Sequence, residues 1–551
     1  MNSSATHEVF NQSTPLEGVN LFEIDQPLQE ALTREGGGWA RDRVSALGEI
    51  CGEKKILRKG VEANEFPPKL KTHDRFGNRI DEVEFHPAWH ELMDLGISHS
   101  VHSLPWNEAG PGANVARAAL FTQLTQVEAG VGCPISMTFS VIPALRNQPD
   151  VAAVWEPRFL SNQYDGELRP AGDKPGALAG MAMTEKQGGS DVRANTTRAV
   201  PVNGGGPGAE YEITGHKWFC SAPMCDAFLV LAQTDAGVSC FLMPRFTPDG
   251  VRNNFHIQRL KDKLGNKSNA SSEVEFRGAW AQLIGEDGRG VRTIIEMVGH
   301  TRLDCAIGAS AGMRSGVAQA IFYDSQRSAF GKKLVDQPLM TNVLADLSIE
   351  SEAATASMMR LARAYDDAAG GDDRAALFQR IATPVLKYWI CKRAPWHAVE
   401  SLECLGGNGY AEESGMPRLF RESPLTSIWE GSGNVQCLDA LRAMVKSPAS
   451  TEVFFEEVGE AAGSDARLDA FVGDLRESMG KDPETMEVRA RRIVEGMALA
   501  LQGSLLVRHG DPDVADAFCA SRLGGDWGQA FGTLPAGIDY PSIISRSAPQ
   551  V

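Results

Sequence analysis

Residues 183–191 read M-T-E-K-Q-G-G-S-D. Gly188 and Gly189 leave backbone N–H groups uncovered, and the hydroxyls of Thr184 and Ser190 flank them. Such a loop can hydrogen-bond a planar polar ring or a phosphate without side-chain obstruction. The same pattern is equally an ordinary turn, so its meaning depends on the chain to either side.

Upstream, the first part of the chain carries helix-like stretches, including the alanine-rich Asn114 to Glu128, interrupted by a loop-rich segment from Glu65 to Ile80. Between Leu178 and Gly290 the texture changes. Tyr211 to Thr214, Ala227 to Ala232 and Ser239 to Met243 alternate as short antiparallel strands do, with turn residues between them. Within this region G-H-K-W-F-C-S, Gly215 to Ser221, reads as a strand. Alternation puts Lys217, Phe219 and Ser221 on one face, Trp218 and Cys220 on the other. An aromatic beside a hydroxyl suits a flavin ring, although core packing also explains the periodicity. Gly204, Gly206 and Ala209 formally satisfy the nicotinamide fingerprint G-x-G-x-x-A. Pro207 lies inside it and the strand-like E-Y-E-I-T follows where a helix should begin, so it reads as a hairpin turn.

From Val291 helical periodicity returns, in Ala306 to Arg327, Gln337 to Ala368, Arg374 to Leu405 (with a kink expected at Pro384) and Asn434 to Lys446. Four long helices after a small β unit predict an up-and-down bundle. Ser447 to Ser450 reads as a linker to a further helical region. Three stretches here carry chemistry. In Q-R-S-A-F-G-K, Gln326 to Lys332, Arg327 either complements a helix C-terminus or reaches a diphosphate. E-C-L-G-G-N-G-Y, Glu403 to Tyr410, reads by itself as a glycine C-cap. In S-I-W-E-G-S-G-N, Ser427 to Asn434, Glu430 sits between a bulky apolar triplet and glycines. A carboxylate there is either paired or has its proton affinity raised by desolvation, as a general base requires.

Bulk properties narrow the classes. At 551 residues the chain exceeds one hydrophobic core, and its composition, 42% hydrophobic and 23% charged, is that of a soluble globular protein. A net charge of −17 disfavours whole-molecule attraction to nucleic acid or anionic membranes. Ten cysteines without a C-x-x-C pair read as reduced thiols, and no metal site is expected. The first ten residues show no signal peptide and no run of 18 apolar residues occurs, so a cytoplasmic location without a membrane span is expected.

The order and spacing of the four motifs, from about Pro134 to Arg442, closely resemble the acyl-CoA dehydrogenase family. The extended N-terminus (F-N-Q-S-T-P-L, then L-T-R-E-G-G-G-W), T-E-K-Q-G-G-S-D and the C-terminal region resemble its AidB-type branch, associated with the bacterial adaptive response to alkylation. The resemblance implies FAD, a homotetramer and an α+β, mostly α, fold. That fold comprises an N-terminal helical domain (1–178), a middle antiparallel β domain (179–290), a four-helix bundle (291–446) and an extra C-terminal helical domain (447–551). Met183, Thr184, Gly189 and Ser190 match the loop along the flavin and its chain, and Phe219 and Ser221 match the aromatic–hydroxyl pair against the ring. Arg327, Phe330, Gly406 and Gly407 match groups holding the adenosine diphosphate part from a neighbouring subunit. Ile428, Trp429, Ser432 and Asn434 match the family's cofactor-contacting loop around its catalytic glutamate, here Glu430.

In this family a base removes the proton α to a thioester carbonyl while hydride passes from the β carbon to flavin N5, so the expected function is FAD-dependent oxidation of an acyl-CoA or related thioester. Relatives that carry the glutamate before an arginine in the first bundle helix have Thr301–Arg302 as their counterpart here, which leaves Glu430. Two departures touch the acyl entrance: Lys186 stands where proline is usual, and Trp429 where tyrosine is common. An electron-transferring flavoprotein is the partner the family implies, and an acyl-CoA oxidase would share the same core. The branch also implies an alternative, a DNA-associated flavoprotein protecting against alkylation with little or no turnover. Residues 447–551 hold 17 acidic against nine basic side chains, so weak, sequence-independent duplex binding at most is expected. It would pass through Arg489, Arg491 and Arg492, extended by Arg508, a cluster that reads better as a solvated helix face.

Overall fold

The apolar run Ala227–Ala232 and its partner Ser239–Pro244 are buried along almost their whole length, which places them at the centre of a sheet rather than on its surface. The structure, a computed structural model, describes residues 6–481 and 483–550. The chain divides into two compact units, Lys55–Asp304 and Met1–Lys54 with Cys305–Val551.

The first of these holds the sheet. Its strands are β1 (Lys69–His73), β2 (Arg79–Glu84), β3 (Ala179–Ala182), β4 (Arg198–Pro201), β5 (Glu210–Ser221), β6 (Ala227–Thr234), β7 (Gly237–Pro244), β8 (Phe255–Leu260) and β9 (Ser271–Ile284). β1 and β2 form a separate hairpin, where the sequence reads as loop; Asp74 Oδ1 caps its tight turn by accepting from the N–H groups of Phe76 and Asn78. The remaining seven strands pair antiparallel except for β3 with β6 and a single β4–β6 contact. The path β6–β7–β9–β5–β4 returns to β6 through Arg198 and Gln233. The glycine-rich segment 202–209 joins β4 to its antiparallel partner β5, the expected hairpin turn. Helices Pro87–Ser98, Ala113–Val127, Gly132–Leu145 and Pro149–Phe159 share this unit. Ala113–Val127 is almost wholly buried, and its Arg117 makes a two-pronged ion pair with Asp304, at 2.5 and 2.8 Å, under the ring of Phe139.

The second unit is helical. Helix Gly290–Gln326 starts 16 residues before the expected Ala306 and enters this unit at Cys305. Pro338–Ala369, Asp373–Cys404 and Gly433–Lys446 complete the expected set, and Asp373–Cys404 runs through both Pro384 and Pro395. Pro448–Gly459, Ala466–Gly480, Ala490–His509, Pro512–Phe518 and Tyr540–Ser547 follow. The expected linker shrinks to Ser447: Pro448 opens a new helix, with Ser450 fully buried in its first turn. Ala490–His509 packs on both Pro338–Ala369 and Asp373–Cys404. All ten cysteines are buried and free. Among the described residues, no helix is long and apolar enough to cross a membrane and no cluster of metal-ligating side chains occurs.

Candidate functional site

In the sheet-bearing unit the 183–191 loop leaves β3 and is pinned to β5. Trp218 N–H donates to the Thr184 carbonyl at 2.8 Å, and the Met183 carbonyl accepts from Asn195 Nδ2 and Lys217 Nζ. Beneath the loop, Glu185 and Lys217 form an ion pair at 2.9 Å with no exposure of either side chain. Glu185 also accepts from the Thr196 and Thr197 N–H groups, the Thr196 hydroxyl and Gln187 Nε2. Burial pushes the Lys217 ammonium down to about 8 despite the carboxylate beside it. Burial also opposes the Glu185 carboxylate, but the Lys217 charge and the threonine donors outweigh it and hold the carboxyl below its usual range. With its base fixed, the loop presents Gly188, Gly189 and Ser190 to solvent. A Cβ on Gly189 would meet Thr184 Oγ1 at 2.5 Å, so the backbone can fold over this threonine only as glycine.

The strand beside the loop departs from simple alternation. A register shift between Lys217 and Cys220 inserts a bulge into β5. Lys217 stays buried while Phe219, expected on its face, is 47% exposed and Ser221 half-buried. Lys261 lies over the Trp218 ring at 3.2 Å and the Phe219 ring at 4.7 Å. The bulge thus frees Phe219 from the core, and Ala222, immediately after Ser221, has φ +51°. An exposed aromatic, neighbouring hydroxyls and a bare glycine backbone fit a planar ring with a phosphate-bearing chain.

The remaining predicted residues lie on the helical unit. Arg327 ends helix Gly290–Gln326, and its Nη1 donates to the Asn11 carbonyl at 2.6 Å. The N-terminal segment grips this turn further: Asn11 exchanges hydrogen bonds with Ser328, and Thr14 donates to Gln326. Phe330 is fully exposed with φ +51°. The Gly406–Tyr410 turn sits beside this helix end, since Asn408 Nδ2 donates to Tyr323 Oη at 2.8 Å. Gly406, with φ +58°, and Gly407 have no atom within 4 Å of where a Cβ would stand, an open backbone suited to a phosphate or ribose.

Glu430 has φ +57°, a left-handed backbone rare for a non-glycine residue. It is half-buried beside the equally half-buried Trp429, while Ile428, Ser432 and Asn434 are exposed. Two fully buried side chains hold the loop. Lys387 Nζ, from helix Asp373–Cys404, donates to the Trp429 carbonyl at 2.9 Å and the Gly431 carbonyl at 2.6 Å. Gln436 Nε2, from helix Gly433–Lys446, donates to the Glu430 carbonyl at 3.1 Å and that of Gly431 at 2.9 Å. Arg442, on the helix that follows this loop, lies 3.7 Å from Asp439. Sequence reasoning missed Lys387 and Gln436. The available signal was a lysine within the apolar run V-L-K-Y-W-I-C, where a solvated ammonium has no natural place.

The arginine cluster of the C-terminal region is largely committed within the chain. Arg489 donates to the Ser478 and Lys481 carbonyls and to Thr485. Arg491 Nε donates to Asn434 Oδ1 at 2.8 Å, and Arg508 pairs with Glu457 and Glu460. Arg491 therefore ties the C-terminal region to the segment following Glu430.

Along the chain a helical N-terminal region is followed by a sheet with an open glycine loop and then by a set of long helices. Residues 11–166 match the adaptive response protein AidB N-terminal domain; residues 180–279 and 288–445 match the acyl-CoA dehydrogenase middle and C-terminal domains. AidB of Escherichia coli (strain K12) is 47% identical over 520 residues, 94% of each chain. The chain belongs to the acyl-CoA dehydrogenase family, in its AidB branch. Caenorhabditis elegans ACDH-11, solved in complex with C11-CoA, superposes with a TM-score of 0.86 at 27% identity over 95% of this chain and 94% of that one. Butyryl-CoA dehydrogenase of Megasphaera elsdenii shares the fold, with a TM-score of 0.59 at 21% identity over 74% of this chain and 98% of that one. The family is FAD-dependent, in keeping with the fit of the loop and strand residues.

Proposed function

We propose that this protein oxidises the α,β carbon–carbon bond of an acyl-CoA thioester, with Glu430 as the base that takes the α proton. The observation that carries the reading is the left-handed backbone of Glu430, a strained conformation at the family's catalytic position, held by buried donors on both sides. Met183, Thr184, Gly189, Ser190, Phe219 and Ser221 would hold the flavin and its chain. Arg327, Phe330, Gly406 and Gly407 would hold the adenosine diphosphate part across a homotetramer contact. Bound FAD supplies the hydride acceptor. The half-buried Trp429 limits water around the carboxylate, which strengthens the interactions that steady a developing enolate. An electron-transferring flavoprotein would reoxidise the cofactor.

Anaerobic titration of the purified protein with acyl-CoAs, beginning with C11-CoA, tests this. Bleaching of the flavin absorbance by at least one thioester is expected. An intact flavoprotein that binds acyl-CoAs but is bleached by none of them would contradict the reading.

A further inference from the structure

Lys174, Lys217 and Lys387 are the three lysines buried among the described residues. Lys174 meets Asp226 and Lys217 meets Glu185. Lys387 meets backbone carbonyls alone, those of Trp429 and Gly431. Burying an ammonium is costly, and a carboxylate partner is the usual compensation. Here the two acceptors are the carbonyls on either side of one residue, Glu430. Gln436 takes the intervening carbonyl, so three consecutive peptide oxygens of the loop end on two buried side chains from different helices. Holding the peptide planes before and after Glu430 fixes its φ and ψ, and with them the direction of its Cα–Cβ bond. Without the clamp, a glutamate at φ +57° would relax toward an ordinary backbone conformation and swing its carboxylate away.

We propose that Lys387 is the positioning residue for Glu430, acting through the backbone of the loop rather than on the substrate. The inference rests on the reading of Glu430 as the base. A lysine suits the task because one ammonium carries three donors on a single flexible stem and can span two carbonyls. Methionine keeps the stem and loses every donor; glutamine keeps donors on a shorter arm; arginine keeps several donors. A misplacement of about 1 Å in a reacting group can cost on the order of 100-fold in rate.

The test is deuterium exchange at the α carbon of a 3-thia analogue of C11-CoA in heavy water, using the FAD-loaded protein. Sulfur at the β position has no hydride to give, so exchange reports one reversible step. The α C–H bond breaks, its proton goes to the Glu430 carboxylate and its electron pair into the enolate, and deuterium returns along the same path. Lys387→Met should exchange about 30- to 100-fold more slowly while binding the analogue within about threefold of the parent, with FAD retained. Lys387→Arg should recover most of the rate. Exchange at the parent rate in Lys387→Met, with Glu430→Gln inactive, would overturn the positioning role and leave the base intact. Parent-rate exchange in Glu430→Gln would overturn the base itself. Should Lys387→Met fail to fold, Lys387→Gln carries the test, with slowed exchange at unchanged affinity expected and parental exchange refuting it.

Discussion

Lys217 Nζ lies 2.9 Å from Glu185 Oε1, and neither side chain reaches solvent. The pair sits under the glycine loop and welds it to β5, so its loss should be felt in both stability and cofactor retention. Removing one partner leaves a buried uncompensated charge, which typically costs about 3–5 kcal/mol. Lys217→Met should lower thermal stability by that order and release FAD on dilution. Adding Glu185→Leu to it should recover part of the stability but not the loop. A Lys217→Met protein with parental melting and full flavin content would show that the pair is incidental.

Acid stability should be governed in part by buried histidines. Burial pushes His102, in the sheet-bearing unit, and His397, in the helical one, each down to about 4. Below the ordinary value of 6.5 the unfolded chain takes up protons that the folded chain refuses. Stability therefore falls with pH between about 6.5 and 4, by up to about 1.4 kcal/mol per pH unit for each histidine. Thermal melts of His397→Gln from pH 7 to 5 should slope less steeply than the parent. Parallel slopes would mean that folding leaves the proton affinity of His397 unchanged.

Asp324, one turn before Arg327, is fully buried, with both carboxylate oxygens lacking a hydrogen-bond partner. Burial raises it to about 8, so the folded protein keeps the proton that the unfolded chain loses above about 4. This group thus costs stability as pH rises from about 4 to 8. Asp324→Asn should be stabilising, with a gain that grows by up to about 1.4 kcal/mol per pH unit across that range. A destabilised or pH-independent variant would mean that a cation meets Asp324 in solution.

The arginines 489, 491 and 492 offer a contrast between a nucleic-acid patch and internal cross-links. Their replacement by alanine removes the Arg491–Asn434 bond and the ties of Arg489 to Ser478, Lys481 and Thr485. At about 0.5–1.5 kcal/mol for each bond, the triple variant should melt clearly lower than the parent. Arg492→Ala alone should melt like the parent. An unshifted triple variant that has lost duplex binding in filter or anisotropy assays would support the DNA-contact reading.

How much of this was legible in the sequence follows from the kind of interaction involved. The long helices and the apolar strands Ala227–Thr234 and Gly237–Pro244 carry their own periodicity, and the false nicotinamide fingerprint was exposed by Pro207 and the strand after it. The β1–β2 hairpin was missed because its strands are polar and half-exposed, so no apolar alternation marks them. The bulge that separates Phe219 from Lys217 was invisible because it is decided by pairing with β9, not by residues within β5. Glu430 was singled out from its glycine-rich context. Its clamp was not, since Lys387 lies 43 positions earlier and only the packing of two helices brings it there. Arg491 was read as surface charge for the same reason: its partner Asn434 is remote in the chain.

The central claim is that Glu430 takes the α proton, and it is tested most directly by stopped-flow anaerobic reduction with C11-CoA, or with whichever acyl-CoA bleaches the parent fastest. Glutamine keeps the shape of glutamate and cannot accept the proton. Glu430→Gln should retain FAD, melting temperature and acyl-CoA affinity while bleaching at least about 100-fold more slowly. Bleaching of Glu430→Gln at the parental rate would contradict the account.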